Sequence, residues 1–341
     1  MAYATTLSVG LVGVSGHLVQ VEADLADGIP GLALTGLPDA ALHEARDRVR
    51  AALVNSGESW PSRRITVNLL PADLPKHGSV FDLAIAVALL AGSGAVPAAP
   101  LAGTLLLGEL GLDGAVRPVR GVLPSVLAAR RAGLRQAIVP VANAAEAQLV
   151  PGMAVRAAGT LGQVAAFARG GPALPPPGPV ASVDPPHVPD LADVAGQELG
   201  KRAVELAAAG GHHLLLVGPP GAGKTMLAER IPTVLPELDD AAAMEVTALH
   251  SVAGLLPAGG RLIRRPPFQA PHHSASAAAL LGGGAGIARP GAVSLAHRGV
   301  LLLDEAPEFA TGVIEALRQP LEHGTVVLRR VRAQTVYPAR C

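Results

Sequence analysis

Eight residues constrain the fold of this chain more than any others. Gly218, Pro219, Pro220, Gly221, Ala222, Gly223, Lys224 and Thr225 fit G-x-x-x-x-G-K-[ST] at every fixed position. The apolar run His213-Leu-Leu-Leu-Val217 before them predicts a strand, and Met226-Leu-Ala-Glu-Arg-Ile231 after them predicts a helix. Strand, glycine-rich loop and helix together make a phosphate cradle. Glycine lets several backbone N–H groups converge on one anion, and the helix adds the positive end of its dipole. In such a cradle Lys224 reaches the β- and γ-phosphates, Thr225 offers its hydroxyl to Mg²⁺, and the loop through Met226 lines the nucleotide. The chain has only three lysines (Lys76, Lys201 and Lys224), so the motif lysine does not come from a lysine-rich background.

A second stretch supplies acid. Gly299-Val-Leu-Leu-Leu-Asp304-Glu305 places two carboxylates at the end of four apolar residues, with Asp304 80 positions beyond Lys224. The four apolar residues predict a strand buried on both faces, and carboxylates at its C-terminal edge are costly unless a site needs them. In a phosphate-loop fold that edge faces the triphosphate, which gives Asp304 the role of holding Mg²⁺ and Glu305 that of polarising the attacking water. The paired acids argue for hydrolysis over binding alone.

Length and composition set the frame. At 341 residues there is room for two domains with separate cores. Hydrophobic residues are 50% and aromatics 2%, so those cores are aliphatic. Basic and acidic residues number 27 each, so any nucleic-acid contact must come from a local patch, not from a bulk positive field. The single cysteine, Cys341, excludes an internal disulfide and fits a reducing compartment. Met1-Ala-Tyr-Ala-Thr-Thr lacks the basic start of a secretion signal. The uncharged stretch Leu83 to Gly108 is cut by Gly92-Ser-Gly94 and by Pro97 and Pro100, so it reads as helix, turn and strand, not as a membrane span. A cytoplasmic protein without membrane contact is expected.

The first half alternates strands and helices. Thr6–Val9, Leu18–Glu22, Leu32–Thr35, Arg64–Leu70, Thr104–Leu107 and Ala137–Pro140 read as strands, the last closing the unit. Helices are expected from Pro38 or Asp39 to Asn55, over Phe81 to Leu90, and over Gly121 to Ala132. Lys76 and His77 read as a solvated loop, and Asp82 as a first-turn charge favoured by the helix dipole. The segments Gly108-Glu-Leu-Gly-Leu-Asp-Gly-Ala-Val-Arg-Pro-Val119, Leu127–Gly133 and Pro75-Lys-His-Gly-Ser-Val-Phe-Asp82 resemble the proteolytic domain of Lon-type proteases. That family needs a serine activated by a lysine. Its pattern places Val80 at the serine position and Leu123 at the lysine position, so the resemblance implies a Lon-like scaffold without peptidase activity.

Proline crowds Gly170 to Pro189 and predicts an extended, semi-rigid linker. Beyond it, Asp193-Val-Ala-Gly-Gln197 and a helix from Glu198 to Ala209 lead into the phosphate loop. This half resembles AAA+ ATPases, in which such a segment flanks the adenine. Arg265-Pro-Pro-Phe-Gln-Ala-Pro-His-His-Ser-Ala-Ser276, Gly282–Gly284, Arg289–Gly299 and Leu317–Gly324 closely resemble the magnesium-chelatase-like AAA+ ATPases of the ComM/YifB type. That family also carries the Lon-like first half, so the resemblance covers essentially the whole chain. It implies an α/β fold: a Lon-protease-like (ribosomal protein S5-type) domain over 1–170, a proline-rich linker over 171–190, and a partial P-loop AAA+ αβα core over 191–341. The sensor, arginine-finger and helical-lid regions of the family would lie beyond Arg340.

The resemblance further implies ATP and Mg²⁺ as cofactors, a self-assembled ring, expected to be a hexamer, and work on DNA such as branch migration. A chelatase motor inserting metal into a tetrapyrrole, and an assembly module with little turnover, stand as alternatives. Adjacent histidines in a strand point to opposite faces, so His272 and His273 suggest a loop contact to nucleotide, substrate or neighbour, not a zinc site. Thr325–Arg332 and Thr335–Tyr337 predict a hairpin whose Arg329, Arg330 and Arg332 either hold a phosphate backbone or simply face solvent.

Overall fold

The computed structural model describes residues 2–36, 39, 42, 44–178, 189–256, 259–284, 288–329 and 334–341. The chain divides into two compact units. The first is built from Met1–Ser182 and takes in Ser251–Arg261; the second is built from Val183–His250, Leu262–Arg330 and Gln334–Cys341. Among the described residues no helix is long and apolar enough to cross a membrane.

The first unit rests on two long strands, β1 (Ala2–Val12) and β2 (Ser15–Ala26), paired antiparallel from Ala2↔Leu25 to Val12↔Ser15. Around them assemble β3 (Gly31–Thr35), β4 (Arg64–Leu70), β5 (Thr104–Leu106), β8 (Gln136–Pro140) and β9 (Ala154–Ala158), in the order β3-β4-β2-β1-β5-β8-β9. The β1–β2 and β2–β4 pairs are antiparallel and the other four are parallel. A small hairpin, β6 (Glu109–Leu110) with β7 (Val116–Arg117), lies outside this sheet. The helices are α1 (Ala45–Asn55), α2 (Asp82–Gly92), α3 (Val122–Arg131), α4 (Ala144–Ala147) and α5 (Leu161–Ala168). Most of the expected start of α1 lies outside the described residues.

Helix α2 is apolar all round and buried along nearly its whole length, the pattern of a helix enclosed by its own domain. Its Leu83, Ile85, Val87 and Leu89 join Val19, Val21 and Leu25 of β2 and Val67 and Leu69 of β4 in one aliphatic core. Helix α3 approaches the β1–β2 hairpin closely at Gly16, where a Cβ would stand 2.6 Å from that of Ala128. Any side chain at Gly16 would push this helix away.

Four expectations change here. The unit does not close at Pro140, because β9 extends the sheet beside β8 and α5 follows, held by a Thr160–Gln163 capping box. The first part of the proline-rich linker is not a free spacer. Leu174 is buried in the core, and Ala157 N donates to Pro175 O at 2.9 Å, a carbonyl that proline retains although it lacks an N–H. Residues 179–188 of the linker lie outside the described residues. Lys76 is not solvated but fully buried, donating its ammonium to Pro71 O, and burial pushes its pKa down against the weaker pull of Asp73. Beside it His77 Nδ1 lies 3.3 Å from Asp39 Oδ2, and Ser79 Oγ donates to Glu109.

Asp82 is likewise more than a first-turn charge. Its carboxylate is 0% exposed and clamped by Arg48, whose Nε donates to Oδ2 at 2.8 Å and whose Nη2 donates to Oδ1 at 3.1 Å. Leu110 N adds a third bond at 3.3 Å. At the two positions of the absent Lon dyad, Val80 is half-buried against the core and Leu123 is buried, its N–H donating to Glu146 Oε1 at 2.8 Å. Glu146 also accepts from Ser251 Oγ and from Asn143 Nδ2, and burial raises its pKa despite these donors.

The second unit contains shorter pieces: helices α6 (Glu198–Gly210), α7 (Lys224–Ala228) and α8 (Ile231–Val234), most of a longer helix over Asp240–Ala253, a longer helix over Thr311–His323, and several two-stranded ladders. Thr325–Arg329 pairs antiparallel with Gln334–Pro338, giving the expected hairpin; Arg329 is exposed at its end, and Arg330 and Arg332 lie outside the described residues. The run before the phosphate loop is not assigned as a strand. Leu214 and Leu216 pack on Leu191, Val194, Val204 and Leu227, whereas Leu215 and Val217 are 83% and 87% exposed. Side chains therefore alternate as in a strand, but among the described hydrogen bonds no ladder joins the run to a neighbour.

The acidic strand is also shorter than expected. Only Val300–Leu301 is paired, in parallel with Phe268–Gln269, and residues 300–303 are half-buried, not closed on both faces. Burial on both faces requires other elements packed over each face of the sheet, and around this two-stranded ladder the cover is partial.

The Arg48–Asp82 pair gives a test. Burial pushes the Asp82 pKa up to about 6 from 3.8, against the pull of Arg48. A carboxyl whose folded pKa lies above its unfolded value favours folding at acid pH, and that contribution is lost as pH rises from about 4 to about 6. Arg48→Ala should cost about 3–5 kcal/mol at pH 8, where a buried carboxylate is left unpaired, and clearly less at pH 5. Urea denaturation of both proteins at the two pH values checks this; an equal loss at both would exclude a charged Asp82 as the cause.

Candidate functional site

The loop enters through Gly218 and two prolines whose fixed φ stiffens the turn and which bring no N–H of their own. Gly221 and Gly223 adopt φ of 77° and 80°, the left-handed region in which a side chain is strained. Gly223 then caps α7, which starts at Lys224. The Lys224 ammonium folds back over the loop and donates to Gly218 O and Pro219 O, both at 2.9 Å. Ala222 N lies 3.3 Å from Pro219 O. Met226 points behind the loop and packs partly on the Leu191, Val194, Val204 and Leu227 cluster.

Helix α7 is shorter than the expected Met226–Ile231 helix. It stops at Ala228, and α8 begins at Ile231 with Pro232 in its first turn. Had one helix continued, the Pro232 ring would have met the carbonyl of Ala228, four residues back. The loop therefore sits on one helical turn, and for an anion held there its N–H groups would count for more than a long helix dipole.

Two of the predicted metal-binding groups meet. Thr225 Oγ1 donates to Asp304 Oδ2 at 2.8 Å, across a sequence separation of 79. A hydroxyl and a carboxylate are the hard oxygen donors that suit Mg²⁺, which keeps waters and phosphate oxygens for its remaining positions. Among the described residues no three His, Cys, Asp or Glu side chains gather to cage a metal, in keeping with so sparse a donor set. The residues present fit this ion, and the loop fits a phosphate chain.

Glu305 takes a different direction from Asp304. Its φ of 53° is left-handed, its N–H donates to Asp304 Oδ1 at 3.0 Å, and its Oε2 lies 3.3 Å from His273 Nδ1. The parallel ladder ends at Gln269↔Leu301, and each chain then turns, so that His273 and Glu305 meet beyond its end. The two histidines do not point to opposite faces as expected, because 271–276 is a turn. Their ring centroids are 4.0 Å apart, and His272 Nδ1 engages Ser274 Oγ at 2.8 Å. Sequence reasoning flagged His273 as a loop contact but missed its partner, which only the folded positions of the two turns identify.

Behind the acidic strand, buried His297 holds its start in place. Its Nδ1 accepts Arg340 N–H at 3.0 Å and its Nε2 lies 3.1 Å from Glu245 Oε2, which Arg298 also approaches at 3.3 Å. Burial works against ionisation of Glu245, yet the pull of His297 and Arg298 leaves its pKa below the usual carboxylate value.

Residues 190–341 match the family model described as magnesium chelatase, subunit ChlI, and residues 21–143 match a second model described as subunit ChlI of Mg-chelatase. An uncharacterized protein of Mycobacterium tuberculosis is 56% identical over 340 residues, which cover 100% of this chain and 68% of that one. YifB of Salmonella typhimurium is 47% identical over 340 residues (100% and 67% of the two chains). Competence protein ComM of Haemophilus influenzae is 44% identical over 345 residues (100% and 67%). The chain belongs to the ComM/YifB family of magnesium-chelatase-like AAA+ proteins. A weaker likeness, 32% over 147 residues and 41% of this chain, connects it to Lon protease of Salinispora arenicola. The chain thus spans about two thirds of the ComM and YifB relatives.

The loop geometry separates its glycines. A Cβ at Gly223 would enter left-handed backbone and stand 3.1 Å from Met226 Cε, whereas a Cβ at Gly218 would meet only Ala222 Cβ at 3.5 Å. Gly223→Ala should lower stability by about 1–2 kcal/mol and weaken Mg·ATP binding, while Gly218→Ala should stay within about 0.5 kcal/mol of the parent. Thermal melting and nucleotide titration of the two variants check the contrast, and equal behaviour would discount the left-handed backbone.

Proposed function

We propose that this chain is the nucleotide-handling part of an AAA+ motor that hydrolyses ATP and acts on DNA in the cytoplasm. The bond between Thr225 and Asp304 carries the reading, because it joins the phosphate loop to the acidic strand in one site. The loop N–H groups and the Lys224 ammonium bind and orient the phosphates, which requires Lys224 to turn from the loop carbonyls toward the anion. Bound through Thr225 and Asp304, Mg²⁺ would neutralise charge on the phosphate oxygens. Glu305 takes the role of positioning water and accepting its proton, and His273 holds that carboxylate in reserve.

The rest of the proposal draws on the family. Residues 1–170 serve as a Lon-like domain without peptidase activity, 171–190 as a linker and 191–341 as part of an AAA+ core. Self-assembly into a ring, expected to be hexameric, follows the AAA+ pattern. The name of the competence protein relative supports work on DNA during uptake and recombination, with branch migration as the task. Arg329, exposed at the hairpin end, is the described residue suited to a phosphate backbone. The family description also supports a second reading, a motor driving metal insertion into a tetrapyrrole.

Glu305→Gln should bind ATP as the parent does and turn it over about 10²–10⁴-fold more slowly. Steady-state ATPase assays with and without branched DNA, beside nucleotide titration, check both halves of the proposal. Turnover that survives the substitution would remove Glu305 from its role. Stimulation by branched DNA supports the DNA motor, and stimulation by a chelatase substrate complex alone would favour the second reading.

A further inference from the structure

We propose that Gln197 is a positioning residue that sets the backbone of the phosphate loop. The inference rests on the reading of that loop as an ATP site and adds a residue to it. Gln197 is one of three described non-glycine residues with positive φ, at 57° with ψ of 33°. It occupies the N-cap of α6, where a short polar side chain in extended backbone normally bonds to the helix's own first N–H groups. Gln197 does neither, since its backbone is left-handed and its side chain makes no cap. That conformation costs about 1–2 kcal/mol for a residue with a Cβ, and it persists only where the surroundings enforce it.

The side chain instead crosses to the loop. Gln197 Nε2 donates to Ala222 O at 3.0 Å, while its own carbonyl accepts Lys201 N–H at 2.8 Å. Gly196, also left-handed with φ of 66°, turns the chain just before it. Two further glycines make the approach possible: a Cβ at Gly200 would stand 2.6 Å from Leu227 Cδ1, and one at Gly223 would stand 3.3 Å from Gln197 Nε2. The rest of the segment is registered on the helices behind the loop. Arg230 Nε donates to Asp190 O at 3.1 Å, and Leu191 N lies 3.4 Å from Thr233 Oγ1. Gln197 is the member of this set that reaches the loop itself.

The consequence follows from peptide geometry. In a planar trans peptide the carbonyl and the next N–H point in opposite directions. Fixing Ala222 O toward Gln197 therefore aims the Gly223 N–H the other way, to the side left for the anion. One of the two dihedrals that turn this peptide belongs to Gly223, where the lack of a Cβ imposes little direction of its own. The strained Gln197 backbone thus exchanges local stability for a fixed donor direction.

The test compares Gln197→Glu and Gln197→Gly with Lys224→Ala on the full chain, using Mg·ATP titration and thermal melting. Glutamate keeps the length and shape but cannot donate to a carbonyl when ionised, and glycine removes both the amide and the strain. The Mg·ATP dissociation constant should rise roughly threefold to tenfold in Gln197→Gly and at least as much in Gln197→Glu, the worth of one hydrogen bond. The melting temperature of Gln197→Gly should meanwhile hold or rise. Hydrogen exchange at the Gly223 amide should quicken in both Gln197 variants. If Lys224→Ala loses binding and the Gln197 variants do not, or if affinity falls only together with melting temperature, the Gln197 assignment is overturned. If Lys224→Ala binds Mg·ATP as well as the parent, the nucleotide site itself is misassigned and the proposal fails with it.

Discussion

The Thr225–Asp304 hydrogen bond is the contact that holds the two motifs of the second unit together. At 2.8 Å it joins a hydroxyl in the first turn of one helix to a carboxylate beyond the end of a two-residue strand. Neither end would be placed without other constraints. Pro232 ends α7 so that the chain turns back behind the loop, and the Phe268–Gln269 ladder fixes how far the acidic strand extends. Two neighbours beyond the end of that strand part company: Asp304 turns to the loop and Glu305 turns to His273.

The two units treat charge differently. The first encloses several ionisable groups, and each has its own answer to the cost of burial. Asp82 has a guanidinium, Glu146 has three kinds of N–H or O–H donor, and Lys76 has a main-chain carbonyl. In the second unit Glu305 is largely open to solvent and Asp304 is half-buried, so a cation or a water can reach them. A scaffold and a working site differ in this way on physical grounds, because buried charge must be matched permanently while exchangeable ligands need access.

Some of this was legible in the sequence and some was not, for reasons that particular residues make plain. The phosphate loop could be read because its chemistry needs contiguous residues at fixed spacing, and β1, β2 and β4 because their apolar residues alternate. β9 escaped notice because Ala154-Val-Arg-Ala-Ala158 is mostly alanine, with little strand preference, and gains its place only beside β8. Burial of Lys76 and the Ser251–Glu146 contact depend on residues brought together by tertiary structure, the latter pair 105 positions apart. The apolar runs at 213–217 and 300–303 promise strands, but hydrophobicity alone does not say whether flanking strands are present. The fold class and the motif residues were therefore readable; the ladders, the buried charges and the partners of Gln197 and Glu305 were not.

The three lysines have one property in common. Lys76 donates to Pro71 O, Lys201 to Val194 O, and Lys224 to Gly218 O and Pro219 O. Each side-chain amine is thus tied to a main-chain carbonyl at a turn or loop, and the other basic residues are arginines. Acylation of the Lys201 or Lys224 amine would here remove a main-chain contact at each event, while burial shields Lys76.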